Sequence, residues 1–141
     1  TNKYTADGRL NTQLWDEERL TTWFDTFMPT LELRNDTVAE WMSDSALVWI
    51  TEYDFDGFRH DATKHIPMNF TRLLTKKIRA ASDNHVYQIG ETYGSDELIA
   101  SYVGSGKVDA QFNFNLYDAA FEAFTQEGAT FDRLRLCTNR I

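Results

Sequence analysis

At 141 residues, 42% of them hydrophobic and four of them tryptophan, the chain is long enough for one domain with a real core. Its net charge of −8 argues against a nucleic-acid or anionic-membrane partner, which would need a basic patch. No apolar run approaches the roughly 18 residues of a membrane span, and the single cysteine, Cys137, cannot form an internal disulfide.

Residues 1–11 are polar and carry the turn signal Asp7-Gly8, so a loop is expected there. Over 15–27, Leu20, Trp23, Phe24 and Phe27 fall at helical spacing, and Asp16, Glu17 and Glu18 suit a first turn. This predicts a short packed helix, ended by Met28-Pro29. Trp15 and Trp23 are then read as packing residues rather than sugar-stacking ones, because apolar residues at helical spacing usually mark a buried face. A second helix is predicted over 37–52, with Val38, Trp41, Met42, Ser45, Ala46, Trp49 and Ile50 as its stripe. Thr37 and Glu40 fit a capping box, and Trp41 and Trp49 are assigned to the core.

The stretch 53–65, YDFDGFRHDATKH, starts as a strand and ends in a crowd of ionisable groups. Tyr53, Phe55 and Phe58 supply strand-forming bulk, and Gly57 allows close backbone approach or a bulge. Arg59, His60, Asp61, Lys64 and His65 follow within seven positions. In extended chain Arg59 and Asp61 point to the same side. A guanidinium there can orient a carboxylate by a charge-assisted hydrogen bond. An ionised, oriented carboxylate at a strand end suits a nucleophile, and Lys64 and His65 can reach a hydroxyl-rich ligand. The same residues also fit a structural Arg–Asp pair beside two solvated bases. Two metal readings fail on spacing. The EF-hand-like EYDFDG has Thr63 where the loop needs Glu, and His60 and His65 lack the spacing of a zinc-protease helix.

Pro67 opens a helix with the stripe Phe70, Leu73, Leu74, Lys77, Ile78 and Ala81, and 82–84 form a turn. His85 is read as surface. Val86, Tyr87 and Ile89 form a short strand broken by Gly90, with Glu91 at its end. Thirty positions separate Asp61 from Glu91, about the length of a strand, a helix and a second parallel strand. Two carboxylates are therefore expected side by side at one face, the arrangement that glycoside hydrolysis requires. Tyr93, in the following loop, is a candidate to bound the site. Ser95 caps a short helix ending near Val103. Val108, Ala110, Phe112, Phe114 and Leu116 alternate, which predicts a strand, and 116–124 a helix that Gly128 terminates. The tail from Thr130 reads as helical.

FRHDATKH, followed by GETYG, closely resembles the second and third signature segments of the α-amylase family of glycoside hydrolases. The pattern DGFRxDxxKH is specific, and the order and spacing of the two segments add to it. The resemblance implies that Asp61 is the nucleophile, Glu91 the general acid/base and Arg59 the residue that orients the nucleophile. It implies that Lys64 and His65 contact sugar on the leaving-group side. The implied fold is an α/β (β/α)8 barrel, with these residues at the C-terminal ends of its fourth and fifth strands. Such a barrel takes about 250 residues. The chain is therefore expected to be part of one, from the helix before strand 4 through strand 6 and its helix. Residues 1–36 are expected to form a loop and short helix from the excursion before barrel re-entry, and 37–141 the partial catalytic barrel.

The implied substrate is an α-glucan: starch, maltodextrin or cyclic maltodextrin. The expected partner is the rest of the barrel in the parent chain, and the isolated chain is expected to be inactive. Calcium is left open as a cofactor. Several calcium-binding relatives carry Asp after the proline that matches Pro29, and Thr30 stands here. The pattern looks more like the calcium-independent branch that acts on cyclic and short maltodextrins. Two alternatives remain: a transglycosylase or branching enzyme of the same family, and a non-catalytic barrel relative serving as a binding subunit. The joint presence of Arg59, Asp61, Lys64, His65 and Glu91 speaks against the second.

Overall fold

Three short parallel strands in the order β1-β2-β3 carry the described fold, with helices in the connections between them. The computed structural model describes residues 4–139 apart from 10, 25, 26, 83 and 84. The elements are α1 (Thr12–Glu17), α2 (Asp36–Thr51), β1 (Gly57–His60), α3 (Met68–Ala81), β2 (Tyr87–Gly90), α4 (Asp96–Ser101), β3 (Ala110–Gln111), α5 (Phe114–Thr125) and α6 (Asp132–Thr138). A 3-10 turn, Thr63–His65, follows β1.

The main core lies where α2 and α3 pack on each other and on β1 and β2. Ala39, Ile50, Phe70, Leu74, Ile78 and Val86 are buried there, with Met42, Ala46, Leu47 and Phe58 packed against them. α3 follows its expected stripe: Phe70, Leu74 and Ile78 face inward, and Pro67 stands just before the first turn. Its Lys77 pairs with Asp44 and Glu40 of α2 at 2.6 and 2.5 Å. These carboxylates, Asp44 first, hold the ammonium above the usual lysine range.

α2 forms as expected, but its buried face is turned by one position. Ala39, Ser43 and Ile50 are buried, whereas Trp41 is 65% exposed and Trp49 is also exposed. Small residues on the inner face let α2 approach α3 closely, and a tryptophan there would hold the helices apart. Trp49 instead packs, tilted, against the rings of Tyr53 and Phe55, each 5.3 Å away. The cap is Asn35, whose side chain accepts from the Val38 N–H at 3.2 Å, and not the Thr37–Glu40 box.

The helix expected over 15–27 is also corrected. α1 begins earlier, capped by Asn11, and stops at Glu17. The Thr21 and Thr22 hydroxyls both donate to the Glu18 carbonyl, at 3.1 and 2.9 Å. Local side-chain bonds of this kind compete with helix continuation. Trp23, Phe24 and Phe27 therefore lie in irregular chain and are partly exposed.

β1 starts at Gly57, later than its aromatic flank implied; Tyr53 and Phe55 precede it and are exposed. The close approach expected of Gly57 is present: a Cβ there would lie 2.2 Å from the Tyr87 carbonyl oxygen. The strand predicted from Val108 to Leu116 shrinks to two residues. Asn113 accepts from the Leu116 N–H at 2.9 Å and starts α5 at Phe114, so an N-cap overrides the alternation. α4 has its Ser95 cap, and His85 is exposed as expected. Of the turn expected at 82–84, residues 83 and 84 lie outside the described residues.

Candidate active site

β1 and β2 pair in parallel with His60 opposite Gly90, so the next residues, Asp61 and Glu91, leave the sheet side by side. The thirty-residue spacing had predicted this placement. Arg59 joins the two carboxylates. Its Nη1 donates to Asp61 Oδ1 at 2.5 Å, and its Nη2 to Glu91 Oε2. Asp61 is open to solvent, with 79% of its side chain exposed, and Glu91 is partly covered, with 32% exposed. One guanidinium thus fixes two carboxylates in a charge-assisted fork.

The chain after Asp61 turns sharply. Ala62 adopts φ 45, ψ 48, a left-handed conformation that is uncommon for a residue with a Cβ. The turn drops Thr63, Lys64 and His65 into buried positions. Lys64 and His65 were expected to reach toward ligand. In the structure, residues from before α2 and the Tyr93 carbonyl hold them. The Lys64 ammonium donates to Asp16 Oδ1 at 2.6 Å and to the Tyr93 carbonyl at 3.1 Å, and lies 5.3 Å from the Trp15 ring centre. His65 Nδ1 lies 2.8 Å from the Arg19 carbonyl oxygen. A carbonyl only accepts, so Nδ1 carries the proton and Nε2 of the neutral ring is left as an acceptor. Trp15 and Phe24 flank the same imidazole at 4.5 and 4.7 Å. Burial pushes His65 below the ordinary histidine pKa; Lys64 and Arg19 add to this, while the Arg19 carbonyl and Asp16 oppose it. His60, on the opposite face of β1 from Arg59, is likewise lowered by burial, opposed by its contact with Gln88 at 3.1 Å.

These side chains line a cavity of about 430 Å³ whose wall includes Trp15, Lys64, His65, Glu91, Tyr93 and Asp118. Tyr93, expected to bound the site, lies 5.5 Å from Phe114, and its hydroxyl donates to Asp118 Oδ2 at 3.2 Å. Arg59 and Asp61 are not among the lining residues, although Ala62 is. Asp16, Trp15, Phe24 and Asp118 are site residues that the sequence pattern did not single out. The helical spacing favours packing over sugar stacking for Trp15, which lines this cavity. No periodicity could have found them, because each meets the motif only through the tertiary fold.

Thr30 stands where several calcium-binding relatives carry Asp. The Thr30 hydroxyl donates to the Thr22 carbonyl at 2.7 Å. No group of three histidine, cysteine or carboxylate side chains able to hold a metal occurs among the described residues. No helix among them is long and apolar enough to cross a membrane.

Residues 6–140 match the model of the alpha-amylase catalytic domain. A cyclomaltodextrinase of Geobacillus thermopakistaniensis is 32% identical over 109 residues, which are 74% of this chain and 18% of that protein. The crystal structure of an Anoxybacillus alpha-amylase superposes with a TM-score of 0.78 at 28% identity, over 89% of this chain and 27% of that one. An alpha-amylase of Geobacillus thermoleovorans, solved in complex with acarbose, superposes equally well at 0.78 and 25% identity, over 89% and 28% of the two chains. The chain thus spans about a fifth of the length of the cyclomaltodextrinase. Its parallel sheet with intervening helices is part of a (β/α)8 barrel, as expected from the resemblance.

Proposed function

We propose that this chain, which belongs to the alpha-amylase family, supplies the nucleophile and the acid/base of a retaining glycoside hydrolase acting on α-glucans. One observation carries the reading. A single guanidinium, Arg59, holds two carboxylates from adjacent parallel strand ends beside an aromatic-walled cavity.

In this reading Asp61 attacks the anomeric carbon and forms a covalent glycosyl ester. Glu91 gives its proton to the departing glycosidic oxygen. Glu91 then takes a proton from water, whose oxygen attacks the anomeric carbon and releases Asp61. Two inversions leave the configuration unchanged. Arg59 orients Asp61. Lys64 and His65, held from behind by Asp16 and Arg19, face hydroxyl groups on the leaving-group side, with His65 Nε2 as an acceptor. Tyr93 and Trp15 offer ring faces. The acarbose complex of the Geobacillus thermoleovorans relative supports an oligosaccharide ligand. Residues 1–36 serve as the excursion that covers the site, and 37–141 as the barrel part. The Asp16–Lys64 contact supports the covering role of the first part.

The rest of a barrel is the expected partner. In the described sheet β1 and β3 are each paired on one side only, and such edges offer unpaired N–H and C=O groups to further strands. The isolated chain is therefore inactive in this reading. The test is Asp61→Asn and Glu91→Gln in the protein as its source makes it, assayed on maltodextrin, with the anomer of the first product followed by NMR. Loss of turnover in both variants and a retained α-anomer are expected. Unchanged turnover in either variant, or an inverted product, would overturn the reading.

A further inference from the structure

Thr63 has no part in the chemistry above, yet it sits where the two carboxylate-bearing strand ends meet. It is 1% exposed. Its backbone N–H donates to the Glu91 carbonyl at 2.7 Å. Its hydroxyl donates to the His60 carbonyl at 3.1 Å and accepts from the Glu91 N–H at 3.0 Å. The residue two places after Asp61 thus binds the backbone N–H and carbonyl of Glu91, sharing that N–H with the His60 carbonyl at 2.9 Å, and binds this carbonyl, immediately before Asp61, as well.

Two local features serve this contact. Ala62 takes the left-handed conformation that turns the chain back under β2. Gly90 leaves room for the hydroxyl, since a Cβ at that position would lie 2.7 Å from Thr63 Oγ1. Beneath the turn, the Tyr102 hydroxyl lies 3.2 Å from both the Lys64 and the Ile66 carbonyl oxygens, which share its one proton, and supports it from below. A buried hydroxyl with both of its roles used is well suited to hold a fixed geometry.

We propose that Thr63 is a positioning residue whose hydroxyl fixes the spacing and orientation of Asp61 relative to Glu91. The proposal rests on the reading of those two as nucleophile and acid/base. A purely structural threonine would affect stability alone. A positioning one acts on the chemical step, because small displacements of a nucleophile are costly in rate.

The experiment compares Thr63→Val, Thr63→Ala, Thr63→Ser and Glu91→Gln in the intact protein on an unactivated maltooligosaccharide. Valine keeps the volume and removes the hydroxyl, alanine is the second hydroxyl-free variant should valine misfold, and serine restores the hydroxyl. Thr63→Val and Thr63→Ala are expected to lower kcat about tenfold or more with KM changed less than about twofold, and Thr63→Ser to stay within about twofold of the parent. A parental kcat in Thr63→Val, or an equal loss in Thr63→Ser, overturns the proposal. Parental activity in Glu91→Gln would instead overturn the reading of Glu91. Hydrogen exchange at the Glu91 amide then judges the contact by itself. Faster exchange in Thr63→Val than in Thr63→Ser supports it, and equal exchange overturns it.

Discussion

Lys64 and Asp16 meet at 2.6 Å across 48 positions of sequence. That one contact ties the chain before the first long helix to the turn after β1. The Lys64 side chain is 10% exposed and Asp16 54%, so the ammonium depends on its partners more than the carboxylate does.

Asp16→Ala is expected to leave Lys64 with the Tyr93 carbonyl as its remaining hydrogen-bond partner among those described. The loss should be roughly 1–3 kcal/mol of stability, the range for a hydrogen bond to a partly buried charged group. Urea titration of the intact protein reads the stability. A raised KM for maltooligosaccharide would accompany it, because Trp15, next to Asp16, lines the cavity. A parental midpoint would show the contact to be energetically idle.

For the chemical step, Glu91→Gln should lower kcat on an unactivated maltooligosaccharide by about 10²–10⁴-fold, the usual contribution of general acid–base catalysis. An activated leaving group such as nitrophenolate needs less protonation, so the loss of the glycosylation rate should be smaller on that substrate. Steady-state and single-turnover rates on the two substrates make the comparison. Equal losses in glycosylation would remove the acid role from Glu91.

Stability should fall on acidification below about pH 6.5, the ordinary histidine value. His60 and His65 are both lowered in the folded chain, chiefly by burial. The folded state therefore binds fewer protons than the unfolded state in this window, and stability rises with pH. Their contribution is complete above the unfolded value and is lost as pH falls through the folded values. Thermal midpoints of the intact protein from pH 8 to 5 check this. The slope should be shallower in His60→Leu, which removes one of the two groups, and an unchanged slope would count against His60.

Gly57→Ala should disrupt the pairing of β1 with β2. The added methyl carbon would lie 2.2 Å from a backbone oxygen, Tyr87 O, which cannot swing aside as a side chain can. A cost of about 1–3 kcal/mol or more is expected from such overpacking. By contrast, Trp41→Ala on the exposed face of α2 should change stability by less than about 0.5 kcal/mol. Denaturant midpoints of the two variants test the contrast. A larger loss at Trp41 would mean that this face is covered in the intact protein.

The sequence by itself determined the placement of Asp61 and Glu91. Arg59 and Asp61 are two residues apart in extended chain, and thirty residues separate two parallel strand ends, so local geometry and chain length sufficed. It also determined that helices span most of 37–52 and 68–81, because hydrophobic periodicity is a property of the segment alone. Tertiary structure decided which face of α2 is buried, since close approach of α3 selects Ala39 and Ser43 over Trp41. It decided where β3 ends, because the cap at Asn113 outcompetes an alternating pattern. It also brought Asp16 and Trp15 to Lys64 and His65, and seated the Thr63 hydroxyl against Glu91. These contacts join residues whose own segments carry no trace of one another, and only the folded chain brings them together.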